Sequence, residues 1–289
     1  MLKIVEKSKI WISISLIIIV IGLGFACVKG LNFGLDFKGG TQISIQLNEN
    51  INKEDADAIV KQYAPDSTTT ISNVYEYEIK STDLESEQLS SIMSDFKDKF
   101  DLDDSALISH EEIGASVGKE LTKNSFLAIL AASVVMLIYV AIRFEFKFGV
   151  AALIATLHDV LITIAFYAVF GITVNTPFIA AILTIVGYSM NDTIVIFDRI
   201  RENLKKMRRA DVIEVANTSI NETLSRSVYT SLSTLITIIA INILVPSVRE
   251  FTVPLIVGIV CGAYSSIFIA TPVWIFLKEK LDKKKVKNA

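Results

Sequence analysis

Asp192 lies in an apolar run, residues 180–197, with Asn191 before it and Asp198, Arg199, Arg201, Lys205, Lys206, Arg208 and Arg209 after it. A charge at membrane depth costs about 2.5–3.5 kcal/mol on insertion scales, so an ionisable residue there marks an ion pathway or a partner. Asp192 falls about 15 residues into its helix, roughly 22 Å from the outer end and past the midplane. Burial favours its neutral form and a nearby cation its charged form. Such a group can be loaded with a proton from one side and emptied to the other. The competing role is a structural hydrogen bond to Asn, Ser or Thr on a neighbouring helix.

Two further constellations bear on the same chemistry. Arg226 opens the fifth apolar run, where it either extends to the headgroups or pairs with Asp192. His158 and Asp159 fall near the middle of the third run. Their spacing fits a polar contact between helices or a supporting place in a proton relay. A hydrolytic triad also needs a placed nucleophile, and none is evident, so no enzymatic activity is expected. With only His110 and His158 in the chain, no metal or other cofactor is expected either. Residues 114–120, GASVGKE, have one residue too few between the glycines for a phosphate loop, and Glu120 stands where Ser or Thr should be.

The elements that must position these residues follow from composition. The 289 residues are 52% hydrophobic, with a mean hydropathy of +0.51 and a net charge of −3. Apolar runs of about 20 residues predict membrane-spanning helices at 10–28, 124–142, 148–170, 177–198, 228–246 and 252–277. The first is long for a signal peptide and lacks a clear cleavage site, so it is expected to stay as a helix. Basic residues cluster before the first run, at 143–147, at 199–209 and in the tail from Lys278. Six helices with both ends in the cytoplasm satisfy every loop.

Residues 31–120 differ, with 7 Lys and no Arg against 19 Asp plus Glu. The pattern predicts an exterior α+β domain. Residues 41–47 alternate as a strand, 52–64 read as a helix, 68–80 as a second strand, and 106–109 as a short last strand. A capping box from Thr82 to Glu85 would open a helix carrying Leu89, Ile92, Met93, Phe96 and Phe100. The result is a ferredoxin-like unit of β-α-β-α-β order. The chain thus divides into 1–30 (cytoplasmic start and first helix), 31–122 (exterior domain), 123–277 (helices two to six) and 278–289 (basic tail). Gly258 and Gly262 form a GxxxG suited to close helix packing. Residues 198–202 are expected to be a solvated or headgroup-level charged face, and the sequons at Asn217 and Asn221 to be inert on the cytoplasmic side.

Four motifs carry a resemblance: LDFKGGT at 35–41, IGASVG at 113–118, GYSMNDTIVIFDRIREN at 187–203 and TLSR at 223–226. In order and across the whole chain, they are similar to the SecF branch of the SecD/SecF protein-export family, related to the resistance–nodulation–division (RND) superfamily. The resemblance implies an accessory subunit of the Sec translocase. Six helices would then be half of a pseudo-symmetric assembly with a parallel repeat, completed by SecD. It further implies roles in proton passage for Asp192 and Arg226, while Asn191, Asp159 and His158 are supporting candidates from their placement alone. The implied partners are SecD, the Sec channel and its subunits, unfolded preprotein and membrane lipid, without nucleic acid. The implied site is the bacterial cytoplasmic membrane, with proton or sodium coupling both open. Two other readings stand beside it: a stand-alone exporter of lipids or small molecules, and a scaffold that assembles the translocon without moving ions.

Overall fold

The structure, a computed structural model, describes residues 3–48, 51–72, 75–143 and 145–287. Outside these lie Asn73 and Val74 within the segment read as one strand, Phe144 in the basic loop at 143–147, and the last two residues of the basic tail. Six of its helices are long and apolar enough to cross a membrane. The first, α1 (Ser8–Lys29), leads through a one-turn helix, α2 (Leu35–Lys38), into the α+β domain.

That domain runs β1 (Gly40–Gln46), α3 (Lys53–Tyr63), β2 (Thr68–Ser72), β3 (Glu76–Ser81), α4 (Ser86–Phe100) and β4 (Leu107–Ile113). The sheet order is β2-β3-β1-β4 with every pairing antiparallel. This is the full β-α-β-β-α-β ferredoxin-like arrangement. The segment read as one strand over 68–80 is therefore two. Its alternation persists on both sides of a turn marked by Tyr75, whose φ is +81°. Alternate residues Ile43, Ile45, Tyr77 and Ile79 bury one sheet face against Ala56, Ile59 and Val60 of α3 and Ile92 and Phe96 of α4. The capping box also differs from expectation. Glu85 is the N-cap and pairs with Gln88, while Thr82 binds Asp66 through both its amide and its hydroxyl.

The remaining helices are α5 (Ala115–Arg143), α6 (Phe146–Phe170), α7 (Thr176–Lys206), α8 (Val212–Leu244), α9 (Arg249–Ser265) and α10 (Thr271–Lys287). A π-helical turn at Ser266–Ala270 joins the last two into one span. Helices α6, α7 and α9–α10 supply the interior, where Phe148 stacks on Trp274 and lies against Phe197. In contrast, α1, α5 and α8 leave broad apolar faces uncovered.

Close packing rests on small residues. A Cβ on Gly22 would lie 2.1 Å from Ala165 Cβ, and Gly258 and Gly262 of the GxxxG abut Ile185 and Ser189 of α7.

The helices α7 and α8 reach well beyond the apolar runs. Asp211 accepts from Val212 N at the start of α8. Thr218, Ser219 and Thr223 then return their hydroxyls to carbonyls one turn back. Polar side chains satisfied this way can stay helical, so Arg226 lies about four turns into α8 instead of opening it.

Candidate functional site: buried carboxyls of the helix bundle

Within little more than one turn of α7, three polar residues face three directions. Ser189 meets α6 and α9, Asp192 meets α8, and Thr193 meets the π-helical turn. Asp192 is 4% exposed and about 24 Å from the start of α7 at Thr176. Its Oδ2 accepts from Ser231 Oγ of α8 at 3.4 Å. One turn away, the buried Ser227 hydroxyl sits near the same carboxyl and has no hydrogen-bond partner among the described residues. Tyr188 adds a second α7–α8 tie to Thr234 at 3.2 Å.

Arg226 is exposed and lies within electrostatic reach of Asp192. The two make no ion pair among the described residues. Of the two fates read for Arg226, direct pairing is thus absent in this conformation. Asn191 is exposed on the outer face of α7, away from the Asp192 carboxyl. Asn191 and Arg226 therefore belong to a surface that this chain leaves open.

His158 and Asp159 form a second, fully enclosed cluster. Asp159 has no exposure. One carboxyl oxygen contacts His158 Nδ1 at 2.9 Å, and the other accepts from Ser189 Oγ at 2.6 Å and Ser265 Oγ at 2.8 Å. Three helices, α6, α7 and α9, meet on this one side chain. Next to it, Thr193 and Ser266 share a hydroxyl bond of 2.8 Å at the π-helical turn. A serine, a histidine and an aspartate are thus adjacent, but both serines bind the aspartate, and His158 Nε2 has no partner among the described residues. A hydrolytic triad requires the nucleophile on the imidazole, so the geometry differs from one.

At the end of α7 far from the α+β domain, Arg199 binds Glu222 and Glu202 at 2.6 Å each, and Asn203 binds both Ser219 and Glu222. The charges at 198–202 are therefore more than a solvated face, because Arg199 fastens α7 to α8. Asn217, noted only within a sequon, accepts from Ile4 N and Val5 N and so caps the start of the first span. The GASVGKE stretch forms the first turns of α5 beside α2.

Sequence reasoning missed Ser189, Ser227, Ser231 and Ser265. A signal was available in the i, i+4 spacing of Ser227 and Ser231, which places both on one helix face.

Six apolar helices, a ferredoxin-like domain after the first, and carboxyls enclosed between helices define a multi-pass membrane protein. Residues 93–280 match the family described as protein export membrane protein SecD/SecF, C-terminal, and residues 25–50 match the SecD/SecF GG motif. The chain is 40% identical to the protein translocase subunit SecF of Sebaldella termitidis, over 99% of this chain and 96% of that one. It is 36% identical to SecF of Haemophilus influenzae, over 92% and 82%. The crystal structure of SecDF from Thermus thermophilus superposes with a TM-score of 0.84 at 34% identity, covering 95% of this chain and 38% of that larger one. The chain belongs to the SecD/SecF family of protein-export membrane proteins.

Proposed function

We propose that this chain is the SecF-type half of an accessory complex of the Sec translocase, and that it uses an ion gradient to promote preprotein export across the bacterial cytoplasmic membrane. Its partner is SecD, as the fused SecDF relatives imply. The exposed Asn191 and Arg226 support this, since polar groups at membrane depth normally face a bundle interior or a water-filled cavity. On this reading both termini are cytoplasmic, the α+β domain is exterior and meets emerging preprotein, and the chain carries no chemical reaction of its own.

The observation that carries the reading is Asp192, an enclosed carboxyl touched by one serine, with a second unpaired serine and an arginine nearby. A charged carboxyl only accepts hydrogen bonds, whereas a protonated one also donates. Protonation therefore changes which hydroxyls of α8 it can hold and removes its attraction to Arg226. Either change shifts the preferred contact of α7 with α8 and the partner half. Each proton crossing the membrane supplies about 2.3 kcal/mol per 100 mV, so a few protons are enough to drive a domain movement.

The test uses membrane vesicles containing the translocon, with and without the complex of SecD and this chain. Proton and sodium gradients are imposed separately and then collapsed with ionophores. Stimulation of preprotein movement that disappears with one of the gradients supports ion coupling and names the ion. Stimulation that survives both collapses would leave the scaffold reading in its place.

A further inference from the structure

The turn at residues 34–40 is held by several bonds that the ion pathway leaves unexplained. It joins four parts of the molecule: the exit of α1, the first strand of the α+β domain, the start of α5 and the start of α7. Gly34 N donates to Val174 O at 2.9 Å, and Val174 N donates to Asn32 O at 2.7 Å. Phe33 and Val174 thereby form a parallel bridge. Asn32 Nδ2 donates to Thr173 Oγ1 at 3.0 Å. The loop before α7 is thus zipped to the chain that enters the domain.

Asp36 completes the connection. Its Oδ2 accepts from Thr176 N, the first amide of α7, at 2.7 Å. The N-cap residue itself, Asn175, makes no side-chain cap bond. Asp36 therefore caps α7 from a distant part of the chain, and its charge faces the positive end of the helix dipole. This is the helix that carries Asp192.

Glycines let the turn close tightly. Gly39 and Gly40 have φ of +83° and +136°, a Cβ on Gly40 would lie 2.4 Å from Ser81 O, and one on Gly118 of α5 would lie 2.6 Å from Phe37 O. Phe37 packs among the partly buried residues around Phe178 and Ile182 of α7. Directly after the turn, β1 pairs with both β3 and β4, so a displacement of the turn carries the middle of the sheet with it. By comparison, Lys80 also meets Glu250 on this side at 3.4 Å, between partly exposed side chains, a type of pair worth little.

We propose that Asp36 is a positioning residue that fastens the end of α7 to the α+β domain, making residues 34–40 the joint through which movement of the Asp192 helix reaches that domain. This rests on the ion-driven reading above. The joint moves as one piece: the zipped loop and the cap hold their contacts while α7 shifts.

The test compares full-length variants in complex with SecD, at matched membrane levels, for two readouts: preprotein export in cells and ion flux in proteoliposomes. Asp36→Ala is expected to keep ion flux and to accumulate precursor several-fold. Asp36→Asn, which retains an acceptor for Thr176 N, is expected to export at close to the wild-type rate. Cross-linking Asn32→Cys to Thr173→Cys is expected to leave export intact, because a joint does not slide. Normal export by Asp36→Ala, loss of both flux and export in it, or a block of export by the cross-link would each overturn the joint. Asp192→Asn run alongside separates the two ideas. If it retains full export, ion coupling itself fails, whatever Asp36 does.

Discussion

Replacing Asp159 with alanine isolates what the enclosed cluster does. The substitution removes an acceptor that holds His158, Ser189 and Ser265, and so unties α6, α7 and α9 from one another. Ser265 can fall back on Gly262 O, which it already meets at 3.3 Å. Ser189 Oγ and the imidazole have no such substitute among the described residues. Polar bonds between helices in a membrane average about 0.6 kcal/mol and reach about 1.7, because the unfolded reference state also finds partners. Two of them, to Ser189 of α7 and Ser265 of α9, give roughly 1–3 kcal/mol, while the His158 contact lies within α6. Asp159→Asn keeps an acceptor oxygen and should cost about 1 kcal/mol, in line with a single neutral hydrogen bond. The assay is denaturant-driven or thermal unfolding of the purified chain in detergent or bicelles, with Ser189→Ala and Ser265→Ala run as double-mutant cycles against Asp159→Ala. Stability of Asp159→Ala indistinguishable from wild type, or full additivity in both cycles, would refute the hub.

Two other perturbations test the account elsewhere. Gly22→Leu would drive a side chain into Ala165, where even a Cβ lies 2.1 Å away. It should separate α1 from α6 and lower unfolding stability by about 1–3 kcal/mol, while a leucine at Gly24, which faces open space, should not. In the α+β domain, burial pushes the Asp66 carboxyl up, but its bonds to Ser81 and to Thr82 together outweigh this and hold it below the usual range. Asp57 behaves alike through Thr69, Tyr77 and Lys53. A carboxyl depressed in the folded state adds stability above its unfolded value, about 3.9, and loses it as pH falls through the folded value. Amide protection in the β2–β3 region of the full protein, corrected for the intrinsic pH dependence of exchange, should therefore be steady near neutrality and fall below about pH 4. Asp66→Ala should raise exchange at neutral pH and flatten that acid response.

The spans themselves were legible because a bilayer requires about 20 apolar residues in a row, and all six runs became helices. Their ends were not, since α7 and α8 continue through charged sequence held by contacts such as Arg199 with Glu222, which no local pattern announces. The domain's class was legible from period-2 alternation. The break between β2 and β3, at Tyr75, was hidden because no glycine marks it and the alternation keeps its phase. Asp192 stood out as a carboxyl in an apolar run. Its actual contacts, Ser231 and the nearby Ser227, depend on the register of α7 against α8, a tertiary fact. The same holds for Asp36, whose amide partner is 140 residues away.

Preprotein export in cells depleted of this protein and rescued by plasmid-borne variants tests the central claim most directly. Wild type, Asp192→Asn and Arg226→Met are compared at equal membrane levels. Asn preserves the size of the side chain and an acceptor for Ser231, and removes the charge together with the ability to bind and release a proton. The account predicts that wild type clears accumulated precursor and Asp192→Asn does not, with Arg226→Met impaired. Full clearance by Asp192→Asn would contradict ion coupling through this carboxyl.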